Sequence, residues 1–229
     1  MAKSVRFLST CVVLCLFAPL TGAAQTGARA TSTCSTCVDC SSEAVNARTV
    51  RLKFYNQSRM SEADLSTMVG LNSRIWQPYG VTVERTTTTS PDAVTVVVSG
   101  RERRPAWASA QTVLGETLFA NHHATPYIRL WLGAAEAFAE ATRVGIVRFF
   151  TLPREQRNDI LLQMMGVSLA HELAHYLLDT TKHSSRGLLK PALNVADMQH
   201  PDIAHLELTR SQQRLMCQSG LLPRQATGK

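Results

Sequence analysis

His171 and His175 stand four residues apart with Glu172 beside the first, in the run His171-Glu172-Leu173-Ala174-His175. On a helix, residues four apart are separated by about 6 Å along the axis and about 40° around it, so both imidazoles can reach one metal ion. Two histidines holding Zn²⁺, with a glutamate as general base toward a water that the metal activates, is the chemistry of a metal-dependent hydrolase.

A catalytic zinc takes three protein ligands and keeps one position open, so a third ligand must be found. Asp179 continues the four-residue series, but on a straight helix it lies about 12 Å along the axis from His171, too far to share its ion. His183 falls past the expected end of the helix, where the chain can turn back and present an imidazole from a second direction; geometry ranks it first. Asp197, His200, His205 and Glu207 are the downstream alternatives. Tyr176 is turned about 100° around the helix from His175 and is read as a packing residue.

The helix that must carry the motif is legible in its apolar spacing. Pro153 suits a first helical turn, and Ile160, Leu161, Met164, Met165, Val167, Leu169, Leu173, Leu177 and Leu178 follow. So broad an apolar surface predicts a buried helix ending near Thr180-Thr181. Upstream, Val50, Leu52 and Phe54 alternate with Arg51, Lys53 and Tyr55 as in a half-buried strand. Ser61 is an N-cap candidate for a helix through Leu65, Met68, Val69, Asn72, Ile75 and Trp76, stopped by Pro78 and Gly80. Val81 to Arg85, Ala93 to Val98 and Tyr127 to Leu132 read as strands, whereas Leu114 to Ala120 fits a short strand or a loop. The strand at 127–132 is either core or an edge able to pair with an extended peptide. The fold class expected is α+β: a mixed twisted sheet packed on a long metal-binding helix, with a small, mostly helical C-terminal part.

The chain has 229 residues and 45% apolar content, enough for one well-buried domain, placed here at residues 47–229. Lys3 and Arg6 precede the apolar run Phe7 to Leu20, and Gly22, Ala23 and Ala24 follow it, so residues 1–24 read as a cleavable signal peptide. The expected location is secreted or periplasmic, with no stable membrane insertion after cleavage. Residues 25–46 lack apolar periodicity and form a cysteine-containing linker or arm. After cleavage Cys34, Cys37, Cys40 and Cys217 remain, an even set whose expected use in an oxidising compartment is disulfide formation, with several pairings open. Basic residues outnumber acidic ones 24 to 17, a net charge of +7 that becomes +5 without Lys3 and Arg6. Only Arg101 to Arg104 cluster, and no nucleic-acid module is recognisable.

The run HELAHYLLDTTKHSSRGLL, residues 171–189, resembles the active-site segment of zincin-type metallopeptidases. It is most similar to short exported bacterial metzincin-like proteins, in which HExxH is followed by seven residues and His-Ser-x-x-Gly-Ile-Met. The resemblance implies a zincin-like fold with His171, His175 and His183 as ligands of one catalytic Zn²⁺ and Glu172 as base. In ordinary metzincins a glycine and the third histidine fall three and six residues after the second; here Leu178 and Thr181 occupy those places, so the loop is longer. Leu189 stands where the group has its methionine. The expectation is an exported zinc metallopeptidase acting on a peptide or protein substrate. An exported zinc-binding protein without catalysis and an intracellular regulatory HExxH protease are the alternatives.

Overall fold

The computed structural model describes residues 48–101, 113–141, 143–144, 147–191 and 203–218. The proposed signal peptide and cysteine-containing arm lie outside the described residues. The first element is β1 (Arg48–Gln57), with Val50 and Leu52 buried at the two-residue period of a strand. Then comes α1 (Glu62–Trp76), started by Ser61 as the sequence predicts. Asp64 N–H donates to Ser61 Oγ at 3.1 Å and Ser61 N–H to Asp64 Oδ2 at 2.7 Å. This reciprocal cap satisfies two otherwise orphaned donors and contributes about 1 kcal/mol.

The main sheet has five strands in the order β2-β1-β3-β5-β4, where β2 is Val81–Arg85, β3 Ala93–Ser99, β4 Gly115–Ala120 and β5 His123–Trp131. All neighbours are parallel except β4, which runs antiparallel to β5. A parallel crossover ordinarily needs a dozen or more residues. Here β2 pairs with the first half of β1, from Arg48↔Val81 to Leu52↔Arg85, and β3 with the second half, from Arg51↔Ala93 to Gln57↔Ser99. Because β3 starts level with the end of β2, the short stretch between them suffices.

One face of this sheet carries Val50, Leu52, Val94, Val96, Val98, Ile128 and Leu130, all buried. It is covered by α1 and by α3 (Arg154–Leu177), whose 24 residues span about 36 Å. From Ile160 to Leu177 every residue of α3 except Gln163 is buried. Asn72 ties the two helices together, its amide donating to Gly166 O at 3.0 Å. Pro153 proves to be the N-cap of α3 rather than part of its first turn.

Two open readings are decided and one further helix appears. The undecided segment at 114–120 is the strand β4, and it, not β5, is a terminal strand of the sheet. Asn121 and His122 both adopt left-handed φ, 51° and 67°, the conformation of a tight primed turn, and this folds β4 back over the edge that β5 would otherwise present. In addition, α2 (Leu132–Ala141) begins directly after Trp131 and buries Leu132, Ala134, Ala135, Phe138 and Ala139. A small ribbon, β6 (Arg143–Val144) with β7 (Val147–Arg148), leads toward α3. The described C-terminal part is a 3₁₀ turn at Ile203–Leu206 and α4 (Arg210–Gln218). A mixed five-stranded sheet with four α-helices among the described residues is compatible with the α+β class. No helix among them is long and apolar enough to cross a membrane.

Candidate metal centre

The last two turns of α3 bring His171 and His175 onto one side of the helix, both buried, with ring centroids 4.8 Å apart. Beyond Leu177 the helix stops as Asp179 takes a left-handed φ of 46°. The chain then loops back to stack the half-buried His183 ring 5.3 Å from that of His171 and 4.9 Å from that of His175. One nitrogen from each of the three residues lies within 4.8 Å of the others. The longer spacing to His183 therefore does not prevent convergence.

Hydrogen bonds fix the tautomers of the helical pair. His171 Nδ1 lies 2.7 Å from Leu188 O, and His175 Nδ1 lies 2.7 Å from Thr180 O. A carbonyl only accepts, so each Nδ1 carries the proton and each Nε2 keeps a lone pair. Those two Nε2 atoms face one another at 3.0 Å. Lone pairs at that separation repel unless a cation lies between them, and two nitrogens on one tetrahedral zinc are about 3.3 Å apart. Backbone carbonyls that orient ligating imidazoles in this way are a common outer shell of metal sites.

Electrostatics keeps the rings neutral and available. Burial is the main cause that lowers His171 well below the ordinary histidine value, and the neighbouring His175 and His183 add to it. His175 is lowered to about 4, again chiefly by burial, and His183 is lowered by burial as well. Protons therefore compete weakly with a metal for these nitrogens near neutral pH.

Glu172 is fully buried beneath β4. Thr117 Oγ1 is 2.8 Å from Glu172 Oε2 and 2.8 Å from Glu172 O, so its one proton is shared between them. A side chain at Gly115 would come within 2.9 Å of Glu172 Cγ, which explains a glycine there. Glu172 Oε1 has no hydrogen-bond partner, an arrangement buried polar atoms rarely keep without a further group to bond. Burial, partly offset by the Thr117 hydrogen bond and reinforced by the nearby Glu116 charge, raises the carboxyl to about 8.

The loop that carries His183 is closed on itself. Ser184 N–H donates to Leu189 O at 2.8 Å and Lys190 N–H to Gly187 O at 3.2 Å. Gly187 has φ 75°, and a Cβ there would stand 2.0 Å from Glu207 O, so no side chain fits. Leu188 and Leu189 are buried and belong to the hydrophobic core, which anchors this end of the loop.

The other candidates have different places. Asp179 accepts from Ala124 N–H at 2.6 Å and bonds His123 Nδ1 at 2.6 Å, pinning the β4–β5 hairpin to the end of α3. His205 and Glu207 are exposed and are not part of the histidine group. Asp197 and His200 lie outside the described residues, as do Cys34, Cys37, Cys40 and the side chain of Cys217. Tyr176 is buried, as a packing residue should be. Thr117 and Gln212 do not stand out in the sequence, and Ser184 enters there only as the serine of the His-Ser-x-x-Gly pattern, without a role; a Thr-x-x-Gln capping signal at Thr209 is the one local clue to Gln212.

Comparison with protein-family models, with curated proteins and with solved structures finds no match for this chain.

Proposed function

We propose that this protein is an exported zinc-dependent metallopeptidase of the zincin type, hydrolysing peptide bonds. The observation that carries the reading is the pair of neutral Nε2 lone pairs facing each other at 3.0 Å, with a third imidazole closing on them. This donor set suits zinc, which favours imidazole nitrogens and four-coordination, with one position left open by three histidines. When bound, zinc supplies an acidified water and polarises the carbonyl under attack.

The chain supplies the rest. Glu172 offers one fixed oxygen and one unpartnered oxygen; a cation held by the neighbouring histidines would favour its ionised form over the neutral acid of the metal-free protein, so it could take a proton at Oε1 and pass it to the leaving amine while Thr117 holds Oε2. β4 is one of the two terminal strands of the sheet, and it carries Thr117 and Gly115 against Glu172. An extended peptide pairing with β4 would thus lie along the strand that holds the base, with main-chain hydrogen bonds providing affinity. The long helix under a mixed sheet supports a zincin-like fold, and the layout of residues 1–24 supports export.

Chelator-treated protein is expected to lose hydrolysis of an unstructured protein such as casein, and one equivalent of zinc to restore it. Hydrolysis unaffected by complete metal removal would refute the assignment. Stoichiometric zinc without cleavage across a broad peptide library would favour the non-catalytic zinc-binding alternative.

A further inference from the structure

We infer that Gln212, on the C-terminal helix α4, is a positioning residue for the metal centre, acting through Ser184 on the loop that carries His183. The inference rests on the reading of the three histidines as a zinc site. Gln212 is buried and occupies the third position of α4, three residues after Thr209. Its Oε1 accepts from Thr209 N–H at 2.8 Å, while Thr209 Oγ1 is 3.4 Å from Gln212 N, the two halves of a capping box.

That use of Oε1 decides the orientation of the amide: the NH₂ group must face away from the cap. It donates to Ser184 Oγ at 3.1 Å. Ser184 Oγ in turn donates to Arg186 O at 2.7 Å, so the hydroxyl needs a donor on its other side. Among the described residues, Gln212 is the one side chain outside the loop that hydrogen-bonds Ser184. The contact lies one residue from His183, and the same loop offers Leu188 O to His171 Nδ1. One amide thus serves two ends: it starts α4 and anchors the loop from which the third imidazole and an orienting carbonyl both come. A glutamate at 212 would cap the helix equally well, but its carboxylate can only accept, so it could bond Ser184 only if the hydroxyl gave up Arg186 O. Glutamine keeps both bonds of Ser184 Oγ at once; glutamate breaks one of them.

The distinguishing experiment is zinc affinity, with zinc alone as ligand and a chromophoric chelator as competitor, for the full chain and three variants. Gln212→Glu keeps the cap and places added negative charge on the side of the loop, which by Coulomb attraction alone would tighten binding of a cation. The inference predicts the opposite, a weakening of about 10-fold or more, in the range seen when outer-shell partners of metal ligands are removed. Ser184→Ala should weaken zinc to a similar degree. The double variant should be no weaker than the worse single one, because both changes break one link. Thermal unfolding of metal-free Gln212→Glu should match wild type, which separates loss of positioning from loss of the helix. Should Gln212→Glu not fold, Ser184→Ala alone decides: wild-type affinity there overturns the inference. Unchanged affinity in all three variants, or additive losses in the double, would also overturn it while leaving the zinc reading intact. Failure of the wild type to bind zinc at all would instead sink both.

Discussion

Glu172→Gln is expected to leave zinc bound and to lower peptide hydrolysis by about 10²–10⁴-fold, the range of positioned acid–base catalysis. Glutamine has nearly the same shape and can still accept the Thr117 hydroxyl, so the pocket beneath β4 stays filled. What it lacks is basicity at the oxygen that has no partner. The same substitution has a second consequence in the metal-free protein. In the unfolded chain Glu172 loses its proton near pH 4.5, whereas in the fold burial keeps the proton on up to about pH 8. The folded state therefore holds the extra proton between those values, and stability falls as pH rises through the window. Glutamine cannot ionise, so metal-free Glu172→Gln should equal wild type near pH 4 and exceed it by pH 8, by on the order of 4 kcal/mol. Urea unfolding of chelator-treated protein across pH 4–8 measures this, and parallel curves for the two proteins would show that Glu172 is not buried as a neutral acid.

The histidines pull the other way. His171 and His175 are neutral in the fold and protonate in the unfolded chain below about pH 6.5. Their contribution to metal-free stability is lost as pH falls from there toward about 4, the value to which His175 is lowered.

His183→Ala should produce the largest loss of metal. It removes one of three converging nitrogens while leaving α3 and its hydrogen bonds to Leu188 O and Thr180 O in place. The zinc dissociation constant should rise by more than about 100-fold, beyond what an outer-shell change produces. His205→Ala and Glu207→Ala remove exposed side chains outside the cluster and should bind zinc as wild type does. Competition against a chelator compares all three. A wild-type constant for His183→Ala, with a loss in one of the others, would move the third ligand.

Much of this centre was legible in the sequence because its parts are local. A four-residue spacing places His171 and His175 together on any helix, and the apolar positions of α3 make that helix certain to be buried. Ser61, Pro78 and Gly80 likewise marked α1 through chemistry that acts within a few residues. What escaped is what depends on strand order and distant contacts. Gly115, Glu116 and Thr117 do not look like a buried strand, since none is apolar, yet their burial follows from the closeness of α3 and Glu172. β5 read as a possible edge because nothing within it reveals that the Asn121-His122 turn lays β4 alongside. α2 was missed because Leu132 continues the apolar run of β5 without a break. Ala134, Ala135, Phe138 and Ala139, spaced for one helical face among residues of high helix propensity, were the available signal. The bond from Gln212 to Ser184 spans 28 residues and has no local signature.

X-ray absorption at the zinc edge of the purified, zinc-loaded protein tests the central claim most directly. The account predicts about three imidazole nitrogens at about 2.0–2.1 Å and no sulfur. A sulfur shell at about 2.3 Å would place a cysteine in the site, and fewer than three imidazoles would contradict convergence of His171, His175 and His183 on one ion.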